Sequence, residues 1–262
     1  MKDMRDKINT RKQLIAYLVL GLLAYLLFLV WTFPADRAAG LLRSKVPPLQ
    51  LAGVTGTVWS GRATALDYSY QGQRQRLSRF TWQFKPLALF TGRAAFAIAF
   101  DGEGRKGSAN VGMKYDGSIT ADAIIAQLPI AELAPLFGVP VMLNGMVDVN
   151  LEALVVTEGK IVRAQGQINW RDAAVTSPIT QSLGSYNAQL STEDAGIKAQ
   201  LRDEGGPLQM DGVLRLINDG SYHFNANINL RDQQQTVLKQ ALQAVGRQQP
   251  DGRMLLEYSG KL

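Results

Sequence analysis

Apolar and polar residues alternate one for one over most of the chain, and that period limits the fold more than any other feature. In residues 221–230, SYHFNANINL, Tyr222, Phe224, Ala226, Ile228 and Leu230 share one parity, while Ser221, His223, Asn225, Asn227 and Asn229 share the other. Successive side chains of an extended chain point to opposite faces, so such a stretch is a strand with one buried side. The same pattern runs through 146–152, where Val147, Val149 and Leu151 alternate with Asp148, Asn150 and Glu152. It recurs at 161–171, with Val162, Ala164, Ile168 and Trp170 on one side. Residues 108–120 read as one strand burying Val111, Met113, Tyr115 and Ile119. Phe80, Trp82 and Phe84, then Phe96, Ile98 and Phe100, and later Leu208, Met210, Leu214 and Leu216 add more.

Gln71-Gly72-Gln73, Asp101 to Gly104, Thr157 to Lys160, Glu193 to Gly196 and Asn218-Asp219-Gly220 separate these runs and supply residues that tolerate tight turns. The chain is therefore predicted to be mainly β: a long antiparallel meander of about ten strands, as a curled sheet or a sandwich, with one apolar and one polar face. An apolar face of that size must fold onto itself, accept helices, or enclose something apolar.

Two short helices interrupt the alternation. One is expected from Pro129 to Phe137, with Ile130, Leu133 and Phe137 along one side. The other is expected over 233–246, capped by Asp232 with Gln235 three residues on, and striped by Val237, Leu238, Ala241, Leu242 and Val245. Both stripes suit packing onto the sheet. A further helix is predicted from Pro34 until Pro47 and Pro48 end it.

Residues 14–33, LIAYLVLGLLAYLLFLVWTF, contain no charge. As a helix they span roughly 30 Å, about the thickness of a bilayer's hydrocarbon core. The run exceeds the core of a cleaved signal peptide and no small-x-small site follows it, so it is expected to stay as a transmembrane anchor. Trp31 and Phe33 stand at its end, where aromatic residues favour the interface. The leader 1–13 carries Lys2, Arg5, Lys7, Arg11 and Lys12 against Asp3 and Asp6, which predicts a cytoplasmic N-terminus. The expected division is leader 1–13, membrane helix 14–33, linker 34–48 and a β-rich domain 49–262 in the periplasm. The localisation that follows is the inner membrane. That leader also holds half of the net charge of +6, so the basic balance is weak grounds for nucleic-acid binding, and none is expected.

Catalytic chemistry finds little to work with. There is no cysteine, which excludes disulfides and thiolate sites. The single histidine, His223, falls on the polar side of a strand, and one imidazole without a carboxylate cluster assembles neither a metal site nor a triad. No G-x-S-x-G occurs, and Asp101-Gly102-Glu103-Gly104 reads as a turn. No enzyme activity, cofactor or metal is expected.

Two stretches share a glycine-to-tryptophan pattern: Gly56 to Gly61, GTVWSG, and Gly166 to Val175, GQINWRDAAV. Gly56 and Gly61 are expected to bracket a strand anchored by Trp59, with Trp170 in the comparable place. This suggests two similar halves, 49–140 and 141–262, against the rival that alternating sequences resemble each other by chance. Gly56, Trp59, Gly61, Trp82 and Trp170 are the candidate structural or interaction residues.

The order of features resembles the type II secretion system protein N family: a basic leader, one apolar helix, Val54 to Gly61 soon after it, Trp82-Gln83-Phe84-Lys85-Pro86, Leu128-Pro129-Ile130, and a β-rich remainder. The resemblance implies an accessory, non-enzymatic inner-membrane component of the machine that exports folded periplasmic proteins across the outer membrane. Its partners would be other inner-membrane secretion components and the secretin complex. A weaker resemblance, to AsmA-like periplasmic proteins, implies the alternative of a lipid-binding or lipid-transport module with an apolar groove.

Overall fold

The computed structural model describes residues 2–45, 49–70, 73–133, 142–177, 180–231, 236–250 and 252–261. The chain divides into two compact units, Met1–Gln83 and Phe84–Leu262.

The first unit opens with helix α1, Lys2–Trp31, followed by α2, Ala35–Lys45. From Tyr17 to Trp31 the large apolar side chains of α1 are all exposed. Among the described residues no helix is long and apolar enough to cross a membrane; the side chains of 14–16, which begin the uncharged run, lie outside them. α2 starts one residue later than the prolyl start predicted, with Pro34 O accepting from the Ala38 N–H at 3.5 Å. Pro47 and Pro48 lie outside the described residues. Four strands complete the unit: β1 (Leu49–Ala52), β2 (Thr55–Gly56), β3 (Ser60–Tyr70) and β4 (Gln73–Phe84). β3 is central and pairs antiparallel with the other three. Ala63, Ala65 and Leu66 are buried along it.

The second unit begins with a 3-10 turn, Pro86–Thr91. Strands β5 (Arg93–Gly102), β6 (Arg105–Lys114), β7 (Ile119–Pro129), β8 (Met142–Thr157), β9 (Lys160–Ser177) and β10 (Gln181–Glu193) follow. Then come β11 (Gly196–Asp203), β12 (Leu208–Ile217), β13 (Ser221–Leu230), β14 (Arg247–Gln248) and β15 (Met254–Lys261). Helix α3, Ile130–Leu133, joins β7 to β8, and α4, Thr236–Val245, follows β13. Neighbours from β5 to β13 are sequential and antiparallel, with β15 and then β14 added at the end. Among the described residues no pairing brings β14 back to β5, so this sheet is open.

Register carries each face across many strands. Lys106, Gln127, Asp148, Asn169, Asn187, Arg202, Asp211 and Asn227 stand directly opposite one another, strand after strand from β6 to β13. One residue over, Gly107, Ala126, Val149, Ile168, Ala188, Leu201, Gly212 and Ala226 do the same. A slip of one residue would exchange the two rows, exposing Gly212 and Ala226, which are buried, and the half-buried apolar residues beside them, so the apolar row favours this register.

The densest core lies under α4, at one end of the apolar face. Leu238 and Leu242 of the helix pack with Ala173, Tyr186, Leu208, Ile228, Leu230 and Met254, bordered by Trp170, Leu183, Met210 and Leu256. The helix thus packs onto the sheet, as its stripe predicts. Its expected cap, Asp232 with Gln235, lies outside the described residues, as do the side chains of Val237, Ala241 and Val245.

Three expectations are corrected. The described residues contain fifteen strands rather than about ten, because several long runs hold a turn. The 108–120 segment is such a case: β6 ends at Lys114, and Tyr115-Asp116-Gly117-Ser118 reverses the chain into β7. Gly117 takes φ +83, the Asp116 carboxylate accepts the Ser118 N–H at 2.8 Å, and the Lys114 N–H donates to Ser118 O at 2.9 Å. Met113, Tyr115 and Ile119, expected on the buried side, are exposed, and Ser118 and Thr120 are buried instead. Finally, Pro129 is the last residue of β7 rather than the first of a helix; 134–137 lie outside the described residues.

Candidate interaction site: a clamp at the helix exit

Gly56 to Gly61 forms a hairpin turn, not the strand expected. β2 ends at Gly56, β3 begins at Ser60, and the two glycines face each other across the ladder. The Thr57 N–H donates to Ser60 O at 2.8 Å, while the Ser60 N–H donates to Thr57 Oγ1 at 3.2 Å. Gly56 holds φ +97, which a side chain disfavours. Val58 and Trp59 are left at the tip.

That tip grips the end of α1. The Trp59 Nε1–H donates to Val30 O at 2.9 Å, and its ring stacks on Trp31 with centroids 6.3 Å apart. The Val58 N–H donates to Phe33 O at 3.1 Å, and Pro34 forms a bridge with Thr57. The last carbonyls of a helix have no partner within it. Here Trp59 binds that of Val30, and Thr32 binds that of Phe28 through both its N–H, at 2.9 Å, and its hydroxyl, at 2.8 Å.

Trp82 of β4 holds the tip from the opposite side. Its Nε1–H is shared between Thr57 O at 3.2 Å and Val58 O at 3.1 Å. The ring covers Gly61 so closely that a Cβ there would lie 2.3 Å from Trp82 Cζ2. Phe80 flanks it, centroids 6.1 Å apart. Four of the five candidate residues, Gly56, Trp59, Gly61 and Trp82, therefore act together. The sequence reading missed Val30, Phe33 and Thr57, because no local pattern links the helix end to a turn 29 positions on.

Trp170 has a different environment, in the second unit. It lies mid-strand in β9, its Nε1–H donates to Asn144 O at 3.1 Å, and its ring meets Tyr186 at 5.9 Å. Burial, and then the charge of Asp203, push the Tyr186 phenol up to about 12. Burial would raise the Asp203 carboxyl as well. The Arg231 hydrogen bond at 2.5 Å and the N–H groups of Met210 and Gly205, at 3.0 and 3.2 Å, outweigh it and hold Asp203 below its ordinary value.

A groove of about 700 Å³ runs over β6 to β9 on the polar side, between the Lys106-Gln127-Asp148-Asn169 row and Ser108, Ile125, Asn150 and Gln167. Arg171 pairs with Asp148 beside it. Among the described residues no group of three histidine or acidic side chains gathers as a metal site, and His223 is exposed on β13.

No solved structure matches the chain. It is 25% identical to the type II secretion system protein N of Aeromonas hydrophila, over 96% of this chain and all of that one. It is 27% identical to the Klebsiella pneumoniae protein of the same name, over 93% of this chain and 96% of that one, and 25% identical to that of Vibrio cholerae, over 82% and 85%. Residues 47–257, which include the clamp hairpin, Trp82 and the whole strand ladder from β5 to β13, match the family described as type II secretion system (T2SS), protein N. On that match the chain belongs to the type II secretion system protein N family.

Proposed function

We propose that this protein is a non-enzymatic, membrane-anchored scaffold that connects other components of the type II secretion system while folded proteins are exported across the outer membrane. α1 is its anchor in the inner membrane, with the N-terminus cytoplasmic and the β-rich part periplasmic. The family supports a place in the secretion machine.

One observation carries the scaffold reading: the clamp fastens the end of α1 to β2, β3 and β4 through Trp59, Val58 and Trp82. A passive tether needs no such fastening, whereas a connector needs a set geometry between its anchor and the strands next to it. The exposed apolar side chains of α1 suit lipid, and Trp31 and Trp59 suit the interface. The open ladder offers partners a long row of polar side chains on rigid strands. The lipid-module alternative needs a continuous apolar groove, whereas in the groove over β6 to β9 the charged and amide side chains of Lys106, Gln127, Asp148, Asn169 and Arg171 interrupt Ile125, Ala126 and Val149.

Photocrosslinking in intact membranes tests this. A photoreactive residue at Gln167, in the groove, or at Asn225, exposed on β13, is expected to capture inner-membrane secretion components or the secretin. Capture of lipid alone at both positions would refute the scaffold and favour the lipid module.

A further inference from the structure

The second unit carries an apolar patch that the scaffold reading does not use. In the 3-10 turn 86–91, Leu87 is 76% exposed and Phe90 89%. In the turn between β6 and β7, Tyr115 is 85% exposed, with Met113 and Ile119 exposed at its base. The two turns adjoin: a Cβ on Gly92 would lie 3.8 Å from the Tyr115 ring. Both are well made. The Ala88 N–H donates to Lys85 O and the Gly92 N–H to Leu89 O, each at 3.0 Å, and Asp116 closes the other turn. Large apolar side chains at the tips of firm turns are an unfavourable display in water.

We propose that these two turns dip into the surface of a lipid bilayer, Leu87, Phe90 and Tyr115 entering the apolar boundary while Lys85 and Lys114 meet lipid phosphates. Charge favours a lipid surface as the occupant. Lys85 and Lys114 are exposed beside the patch and outnumber the one carboxylate there, Asp116, because Asp122 is paired with Arg93 at 2.6 Å. Apolar and aromatic tips ringed by cations are the composition of interfacial segments. Chain length favours it too. Three residues separate Trp82 from Pro86, so covalent reach keeps Pro86, the first residue of the 3-10 turn, within about 14 Å of Trp82. The inference rests on α1 being embedded in the membrane.

The chain has no cysteine, so one introduced cysteine carries one label. The full chain in nanodiscs, with bimane at Phe90→Cys, Leu22→Cys or Asn225→Cys, is read against lipid bearing a nitroxide either near the headgroup, the depth expected for position 90, or on the middle of the acyl chain, the depth expected for position 22. Positions 22 and 90 are expected to lose more than half of their fluorescence, and 225 none. Quenching at 22 but not at 90 overturns the inference and leaves the anchor standing; no quenching at 22 overturns both. With the label at 90, the added substitutions Leu87→Asp and Tyr115→Asp are expected to abolish its quenching, and quenching that persists would overturn insertion by these side chains. A label at 90 that is unquenched in nanodiscs yet shielded in native membranes would assign the patch to a protein and overturn the proposal.

Discussion

Trp59 stacks on Trp31 and, through the same indole, donates its N–H to the carbonyl of Val30. Ring contact and hydrogen bond both fall on the last turn of α1, so one side chain fixes where the helix ends and where the strands begin. Replacing Trp59 by Phe keeps the ring and deletes the donor. The expected cost is about 1 kcal/mol, with faster protease cleavage between 32 and 48 in membranes. Trp59→Ala should accelerate cleavage further, and unchanged cleavage in both variants would refute the clamp.

Gly61 and Trp82 form a close pair, because the indole, together with the Thr55 carbonyl 2.7 Å away, occupies the space a Cβ would need. Gly61→Ala is expected to destabilise the first unit by about 1 to 3 kcal/mol. Trp82→Phe alone should also cost stability through its lost donor, yet the double variant should recover part of the Gly61→Ala loss. A double-mutant cycle in denaturant measures that coupling, and strict additivity would show that the ring is not what excludes the methyl group.

Around α4, Leu242→Ala is expected to cost about 2 to 5 kcal/mol, and Trp170→Ala about 3 to 5 kcal/mol. Both adjoin one cluster, so their losses should fall short of additive. Thermal unfolding followed by circular dichroism reads both. A loss near zero for Trp170→Ala would identify that residue as one of interaction instead of packing.

Asp203 makes stability depend on acid. Its folded pKa lies below the ordinary 3.8, so its contribution is complete above that value and is lost as pH falls through the lower folded one. Asp203→Asn should therefore lower the urea midpoint clearly at neutral pH. The gap to the parent should close as pH falls through that lower folded value, below which the parent side chain is as uncharged as the asparagine. A gap that persists there would mean that geometry, not charge, sets the effect.

The strand ladder was legible because burial on one face enforces a two-residue period, as in Tyr222 to Leu230. α4 was legible from its stripe. The turn at Tyr115-Asp116-Gly117-Ser118 was hidden by that same regularity: parity runs unbroken through it, and only Asp-Gly marked the reversal. The hairpin at Trp59 was hidden for a different reason. β-branched and aromatic residues between glycines read as a strand, but Val58 and Trp59 point outward at a tip because the helix end is there to receive them. Such a partner, 29 positions away in sequence, leaves no local period.

From β5 to β13 each strand meets chiefly its two neighbours in the ladder, and among the described residues the cluster under α4 draws on β9, β10, β12, β13 and β15 but not on the other strands. A body built this way has no centre that every strand must help to fill. Inserting one hairpin between β5 and β8 would lengthen it by two strands and leave the cluster under α4 intact. Length is then a property that evolution can tune in hairpin-sized steps, like the span of a girder cut to fit the gap it bridges.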